Sequence, residues 1–343
     1  SGSVLEAGQS IAIRGISYNK AVSKAYGITG GLVAAVGAAL ADATTDGITR
    51  AYMNGRVNNG SAFQVVVQGF DTASAESWAA AGGIAAGSGN HAKATVSPIV
   101  ESYLGNGAVV VVSGNVEVIA HGIANAYART WGVSAGAATV GVSLAHAVIS
   151  SEVSAYFGNN VSVNAGGDII IKALHNYNFD GAKRGEKAQA VANASGGGAL
   201  VGATGAEAKV SHTAQVNSYI GTKANISAGR DIIIQALGNI NGLASGDGNS
   251  GGVVGIGGVV VEVSNNGVIK AYIDSTTQNP SNVVAGRHLT VSVLGSSTPT
   301  ATSEQAAGGI VSGGGSSANA VSQLQVNAYL GTSGGTFSSN TGN

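Results

Sequence analysis

Apolar and polar residues alternate along much of this chain with the two-residue period of a β-strand. In "NAGGDIIIKAL" at 164–174, Ile169, Ile171 and Ala173 share one face while Lys172 points to the other. "SAGRDIIIQAL" at 227–237 repeats the arrangement with Ile232, Ile234 and Ala236 around Gln235. Leu289, Val291 and Val293 follow suit, with Thr290 and Ser292 between them. Just upstream of the first phrase, Val161, Val163 and Ala165 make another short run, closed by Gly166-Gly167. That glycine pair predicts a sharp corner with positive φ. Further upstream Val153, Ala155 and Phe157 alternate, matched by Val216, Ser218 and Ile220.

These runs recur. The first inward apolar residues of successive copies are Ile11, Phe63, Val116, Ile169, Ile232 and Leu289, at separations of 52, 53, 53, 63 and 57. A tyrosine landmark keeps step at Tyr52, Tyr103, Tyr156, Tyr219, Tyr272 and Tyr329. The interval from Gly15, Val67, Ala120, Ala173, Ala236 and Val293 to the next of these landmark tyrosines is 37, 36, 36, 46, 36 and 36 residues. Strand parity places the tyrosines on the outer, polar face, so they are expected to form an exposed ladder.

A phrase that returns at near-constant spacing is explained by a unit that stacks on its own copies. The expectation is an all-β parallel β-solenoid, one domain over 1–343, built from six repeats of about 53 residues. Three short strands with glycine corners between 150 and 174 read as one triangular coil, which predicts two coils per repeat. A helix over "GLVAAVGAALADAT" at 31–44 is the rival. Its counterparts at 195–210 and 251–263 are crowded with glycine, each costing about 1 kcal/mol relative to alanine in a helix. Strands are therefore expected there too. One repeat carries ten extra residues within 175–190 and another carries four near 275–282, which places loops at both positions.

Composition narrows the class. The 55 glycines come with only 3 prolines and no three-residue period, which excludes collagen. A chain 44% hydrophobic and 10% charged does not have the composition of a disordered one. The formal charge is −1 and the 16 basic residues are scattered, so the footprint of a nucleic-acid binder is missing. Without cysteine there are no disulfides and no thiolate metal sites. The longest apolar run, "GGLVAAVGAALA" at 30–41, is too short and glycine-broken to span a bilayer, and no membrane insertion is expected. The opening Ser1–Ser3 reads as a cloning remnant on a piece of a longer protein.

Candidate chemistry is sparse. Two G-x-S-x-G matches, Gly132–Gly136 and Gly248–Gly252, are what a chain rich in glycine and serine produces by accident. The histidines at 91, 121, 146, 175, 212 and 288 show no metal-ligand spacing. Asp168 and Asp231 recur at one corner, where His288 replaces them in the last copy; the acid reads as a turn device bonding nearby backbone N–H groups. "NAGGDIII" lacks the pattern of calcium-binding β-rolls. Asp42 with Asp46 reads as a polar turn. The insertion is more interesting: Tyr177 and Phe179 stand beside Lys183, Arg184 and Lys187, with Asp180 and Glu186 nearby. These five aromatic and basic residues form a candidate contact loop, and the tyrosine ladder is a candidate contact face. No catalytic, cofactor-binding or metal-ligating residue is assigned.

The stretch "AYFGNNVSVNAGGDIIIKA" at 155–173, followed by apolar glycine-rich runs such as "VVGIGGVVVEV", resembles the leukotoxin-like filamentous adhesins of Gram-negative bacteria, exported by two-partner secretion. The resemblance covers nearly the whole chain. It implies a right-handed parallel β-helix, exposure at the bacterial cell surface, and a part in attachment or virulence. It supplies no catalytic residues. The function expected is thus a rigid, non-enzymatic extracellular shaft that meets a host-cell glycan or protein receptor and neighbouring segments of the same adhesin. A β-helical polysaccharide lyase or hydrolase and a self-assembling filament are the alternatives.

Overall fold

The computed structural model describes residues 4–331, 333 and 335–339; the Ser1–Ser3 remnant expected at the start lies outside them. The described residues fold entirely as strands and connecting turns, all the main ladders being parallel. The chain is a parallel β-solenoid, consistent with the right-handed winding that parallel crossovers adopt.

One coil illustrates the rest. Strand Phe63–Gly82 runs outward, a tight turn reverses it, and strands Ala85–Val96 and Ile99–Leu104 return. A corner leads to the short strand Val109–Val112, and a second corner leads to Val116 and the next coil. The register repeats without slippage at the phrase: Ile11↔Phe63, Phe63↔Val116, Val116↔Ile169, Ile169↔Ile232 and Ile232↔Leu289. Residues about 53 apart are therefore direct neighbours, and each repeat is a single coil. The two coils per repeat expected from the glycine corners are corrected by this pairing. A 20-residue strand such as Phe63–Gly82 carries no corner that would let a chain close a shorter triangle. The rival helix at 31–44 is absent; Ala34–Thr45 is a strand, as expected, paired with Ala85–Val96.

The two long limbs lie face to face, tied by side-chain bonds across the interior. Ser77 Oγ donates to Ala39 O at 2.7 Å, and Ser102 Oγ to Val65 O at 2.7 Å. The coil is wide at one end and thin at the other. The wide head, closed by the seven-stranded sheet of short strands, holds the bulky side chains, including Phe63, Phe157, Ile169, Ile232 and Val110. The thin blade is filled mainly by alanine, as at Ala73, Ala126, Ala145 and Ala190. Small residues are needed there: a Cβ at Gly246 would sit 2.7 Å from Val259 Cγ1.

Corner chemistry stitches coil to coil. Asn115 Oδ1 accepts the N–H of Asp168 at 2.9 Å, Asp168 Oδ1 that of Asp231 at 3.1 Å, and Asp231 Oδ1 that of His288 at 3.2 Å. The acid is the turn device the sequence suggested, but its partner lies one coil away. Arg230 and Arg287 pair with Asp168 and Asp231 at 2.7 and 2.8 Å. Positive φ falls at the other corner, at Gly107 (72°), Asn160 (58°) and Lys223 (57°), and not at Gly166-Gly167. Gly166 is required for a different reason: a Cβ there would stand 2.3 Å from Ser113 O in the coil below.

Candidate functional site

The insertion leaves the sheet in mid-strand. Gly122 pairs with His175, an offset of 53; pairing resumes at Ala126↔Ala188, an offset of 62, and reaches 63 at Ala138↔Val201. Nine of the ten extra residues thus belong to the excursion 176–187, and the tenth sits at the blade's turn. The next coil fills the gap with three residues, 239–241, in an unbroken strand. The excursion is anchored where it starts. Asn176 adopts φ of 51°, its Oδ1 accepts the N–H of Ala124 at 2.9 Å, and its Nδ2 donates to Ala124 O at 3.2 Å. Asn239 Nδ2 reaches Arg184 O at 2.9 Å from the other side.

The loop folds back on the outer face of the sheet and makes a small core of its own. Tyr177 is 0% exposed, packed with Leu174, Leu237 and Ile119. This corrects its assignment as a contact residue: Tyr177 supports the loop and touches nothing outside. Phe179 does stay exposed, against His121 at 4.6 Å between ring centroids. His121 Nε2 donates to Tyr177 O at 2.6 Å, and Phe70 meets the His121 ring edge-on at 6.0 Å. Tyr18 stacks on Phe70 at 4.8 Å, extending the aromatic row down two coils. Burial pushes the His121 imidazole below its usual range, Tyr177 O opposes that, and Arg184 adds to it.

The basic residues have separate fates. Arg184 is held by Glu186 at 2.6 Å and by Asn178 at 2.9 Å, so its charge is neutralised locally. Burial raises the Glu186 carboxyl, but the Arg184 hydrogen bond, a backbone hydrogen bond and the Arg184 charge together outweigh it and hold the acid below its usual range. Lys183 stays exposed and reaches Ser296 Oγ at 2.9 Å, two coils on. Lys187 is half-buried at the strand restart, its N–H bonded to Asn125 Oδ1. Together with Phe70, Thr72, Ile123 and Asn125, the Arg184–Glu186 pair borders a shallow open cleft of about 610 Å³. The donors and acceptors on its walls and the aromatic row beside it are suited to a polar ligand with some apolar surface.

The tyrosine ladder is present as expected. Rings at 52, 103, 156, 219, 272 and 329 stack with centroids 5.0, 4.8, 4.7, 4.9 and 4.8 Å apart and planes within 7°. Tyr52 and Tyr329 at its ends are exposed, and the four between are half-buried. Burial, with the Glu101 carboxylate and then the Tyr103 phenol adding, pushes Tyr156 up to about 12. The raised phenols of Tyr103, Tyr156, Tyr219, Tyr272 and Tyr329 therefore remain protonated throughout the physiological range.

Sequence reading missed a polar seam inside, at the junction of head and blade. Asp71 is 1% exposed; its Oδ1 accepts from Asn19 Nδ2 at 2.8 Å, its Oδ2 has no partner, and burial raises its pKa. Two coils on, His175 and His212 meet in the same seam. Parity alone would have put these residues indoors; only the stack pairs them. Leu174 and Leu237, at the same outward position of both phrases, were the visible sign of something covering that face.

Among the described residues no group of three or more His, Asp or Glu is arranged to hold a metal ion. Fold and site together define a parallel β-solenoid with one decorated coil. No family model, curated protein or solved structure matches the chain.

Proposed function

We propose that this chain is a rigid shaft segment of an extracellular filamentous surface adhesin, non-enzymatic, whose decorated coil meets a host-cell glycan or protein receptor. The observation that carries the reading is the contrast between long limbs that keep register coil on coil and the outward excursion at 176–187 that interrupts one of them in mid-strand. Backbone ladders in every coil resist bending, so a feature on one coil is held at a constant place along the rod. The excursion is well anchored at its base, leaves Phe179 and Lys183 exposed, and sets the Arg184–Glu186 pair on the wall of the 610 Å³ cleft. The tyrosine ladder and the loop near 275–282 are secondary contact surfaces, for a receptor or for neighbouring segments of the same adhesin. Cell-surface display by two-partner secretion belongs to the same reading.

The test exchanges residues 176–187 for Asn-Ile-Asn, the link that 239–241 provides in the next coil. Wild type is expected to bind a subset of a mammalian glycan array or cultured host cells, and the exchange variant to lose that binding while keeping its β circular dichroism. Equal binding by both proteins would remove the loop from the proposal. Reproducible release of reducing ends from a polysaccharide panel would replace the shaft with a β-helical carbohydrate-active enzyme.

A further inference from the structure

The three corners of the coil differ in chemistry. Two are polar: one carries Asn106-Gly107 and Asn159-Asn160, the other Asn115, Asp168 and Asp231. The third, the thin edge of the blade, reads Gly-Gly-Leu-Val at 30–33, Gly-Gly-Ile-Ala at 82–85, Gly-Gly-Val-Val at 251–254 and Gly-Gly-Ile-Val at 308–311. Turn tips in water favour polar residues. Here Ile84, Leu200 and Val253, in inner coils, are 61%, 60% and 42% exposed. The glycines are explained by the turn, since a Cβ at Gly83 would stand 2.6 Å from Gly31 O. The outward aliphatic that follows them is not required by the turn.

The blade near this edge is also mixed inside. Beside Ala35, Ala81 and Ala86 its interior holds Ser88, Asn90, Ser134, Thr139, Thr204 and Ser250, all buried and their side chains without a hydrogen-bond partner. Its outer faces hold Ile28, Val36, Val133, Val140 and Ile256, all exposed. A surface selected for water alone would show the reverse. Stretches 25–41, 77–90, 130–145, 188–206 and 248–261 contain no Asp, Glu, Lys or Arg.

Behind the uncharged edge comes an aromatic row, then charge. Tyr26, Trp78 and Trp131 form a row on one outer face, their rings tilted against one another with centroids 6.1 and 5.2 Å apart. Lys24, Glu76 and Arg129 follow them, with Arg129 5.6 Å over the Trp131 ring. In each of these three coils the aromatic stands six residues behind the tip, about 20 Å at roughly 3.3 Å per residue. One leaflet's hydrocarbon is about 15 Å deep. Apolar tip, aromatic girdle and charged row follow the order in which side chains meet a membrane interface.

From this order we infer that the blade edge is a lipid-docking surface, which enters one leaflet of a bilayer with Tyr26, Trp78 and Trp131 at headgroup level. A narrow convex ridge fits a deformable phase better than a rigid partner. The backbone there is already paired coil to coil, so strands can enter without orphaning N–H and C=O groups. The criterion that excluded a span concerned one long apolar run. An edge assembled from short turns does not meet that criterion and still presents apolar side chains at tip after tip, with alanine alone at the third, Gly136-Ala137-Ala138.

The probe is a large unilamellar vesicle of phosphatidylcholine. Trp78 and Trp131 are the only tryptophans, so their emission reports the girdle directly. Wild type is expected to float with vesicles and to shift its tryptophan emission to the blue. The variant Ile84→Ser/Leu200→Ser/Val253→Ser is expected to lose at least about tenfold in partitioning. Its circular dichroism and melting should match wild type, because those side chains are exposed at the tip. Absence of flotation and of any blue shift in wild type overturns the inference whatever the variant does; so does undiminished binding by a folded triple variant. Sedimentation of wild type as a dimer that the same substitutions dissolve, without vesicle binding, would assign the edge to a second copy of this chain instead.

Discussion

The Nε2 atoms of His175 and His212 meet at 3.1 Å between the two limbs of one coil, both rings fully buried. The direction of the proton follows from the neighbours. His212 Nδ1 faces Asn241 O at 2.9 Å and must donate to it, so its Nε2 accepts from His175. His175 Nδ1 is left as a lone pair with no partner. A second proton would have no acceptor in this seam. Burial holds His212 down at about 4, against a smaller opposing pull from Asn241 O. Burial and the His212 ring hold His175 well below its ordinary range.

The pair makes the solenoid acid-sensitive. Both pKa values are depressed in the folded chain, so between about pH 6.5 and 4 the unfolded chain binds more protons and stability falls as pH falls. His212 alone contributes on the order of 3 kcal/mol across that window. His212→Asn, which copies Asn265 in the next coil, should flatten the difference in melting temperature between pH 7 and pH 4.5. Parallel pH profiles for the two proteins would show that the pair is not the sensor.

The hydroxyl of Tyr177 is buried without a partner. Tyr177→Phe should therefore stabilise the chain, by about 1 kcal/mol, because an unsatisfied polar group is removed and the packing kept. Tyr177→Ala should cost about 3 kcal/mol or more by emptying the small core it shares with Leu174 and Leu237. Urea titration separates the two, and a destabilised phenylalanine variant would reveal a partner for the hydroxyl.

Tyr156 stands in mid-ladder, stacked at 4.8 and 4.7 Å on Tyr103 and Tyr219. Tyr156→Ala breaks both stacks and should cost about 1–3 kcal/mol, while Tyr156→Phe should cost far less. The same ladder predicts phenol absorbance that titrates above the free-tyrosine range. A raised folded pKa gives stability that is complete below about pH 10 and lost as pH rises toward 12. Normal tyrosine titration in the native protein would contradict this.

At the corner, Asp168 does two jobs, accepting the Asp231 N–H and pairing with Arg230. Asp168→Ala should cost about 1–2 kcal/mol, the Arg230 pair contributing little because that side chain is half exposed. Asp168→Asn keeps the acceptor and should recover most of the loss in a thermal melt. Equal losses in both variants would shift the importance to the ion pair.

Much of this was legible in advance. Strand parity put Ile169 and Ile232 indoors and Tyr156 and Tyr219 outdoors, and a common spacing put each above its copy. Those features are local or periodic, and an alternating run can be read without knowing what faces it. Tyr177 was misread because an aromatic on a polar insertion looks exposed; its burial depends on Leu174, Leu237 and Ile119 gathering beneath it, from three coils. The Arg184–Glu186 pair was visible as a cluster, but not that the two ions neutralise each other.

By itself the sequence determined that this is a stack of strand-built coils, which residues share a column, and where the stack is interrupted. Parity and period suffice for that, since a parallel ladder only repeats what one strand already shows. Only the tertiary structure decided that a repeat closes as one flattened coil, that His175 faces His212 across it, and that one edge of the blade carries exposed aliphatics outside and buried hydroxyls among its alanines. Those relations join the outgoing and returning limbs, and how far a limb runs before it turns is set by packing between the limbs, which no single run of residues records.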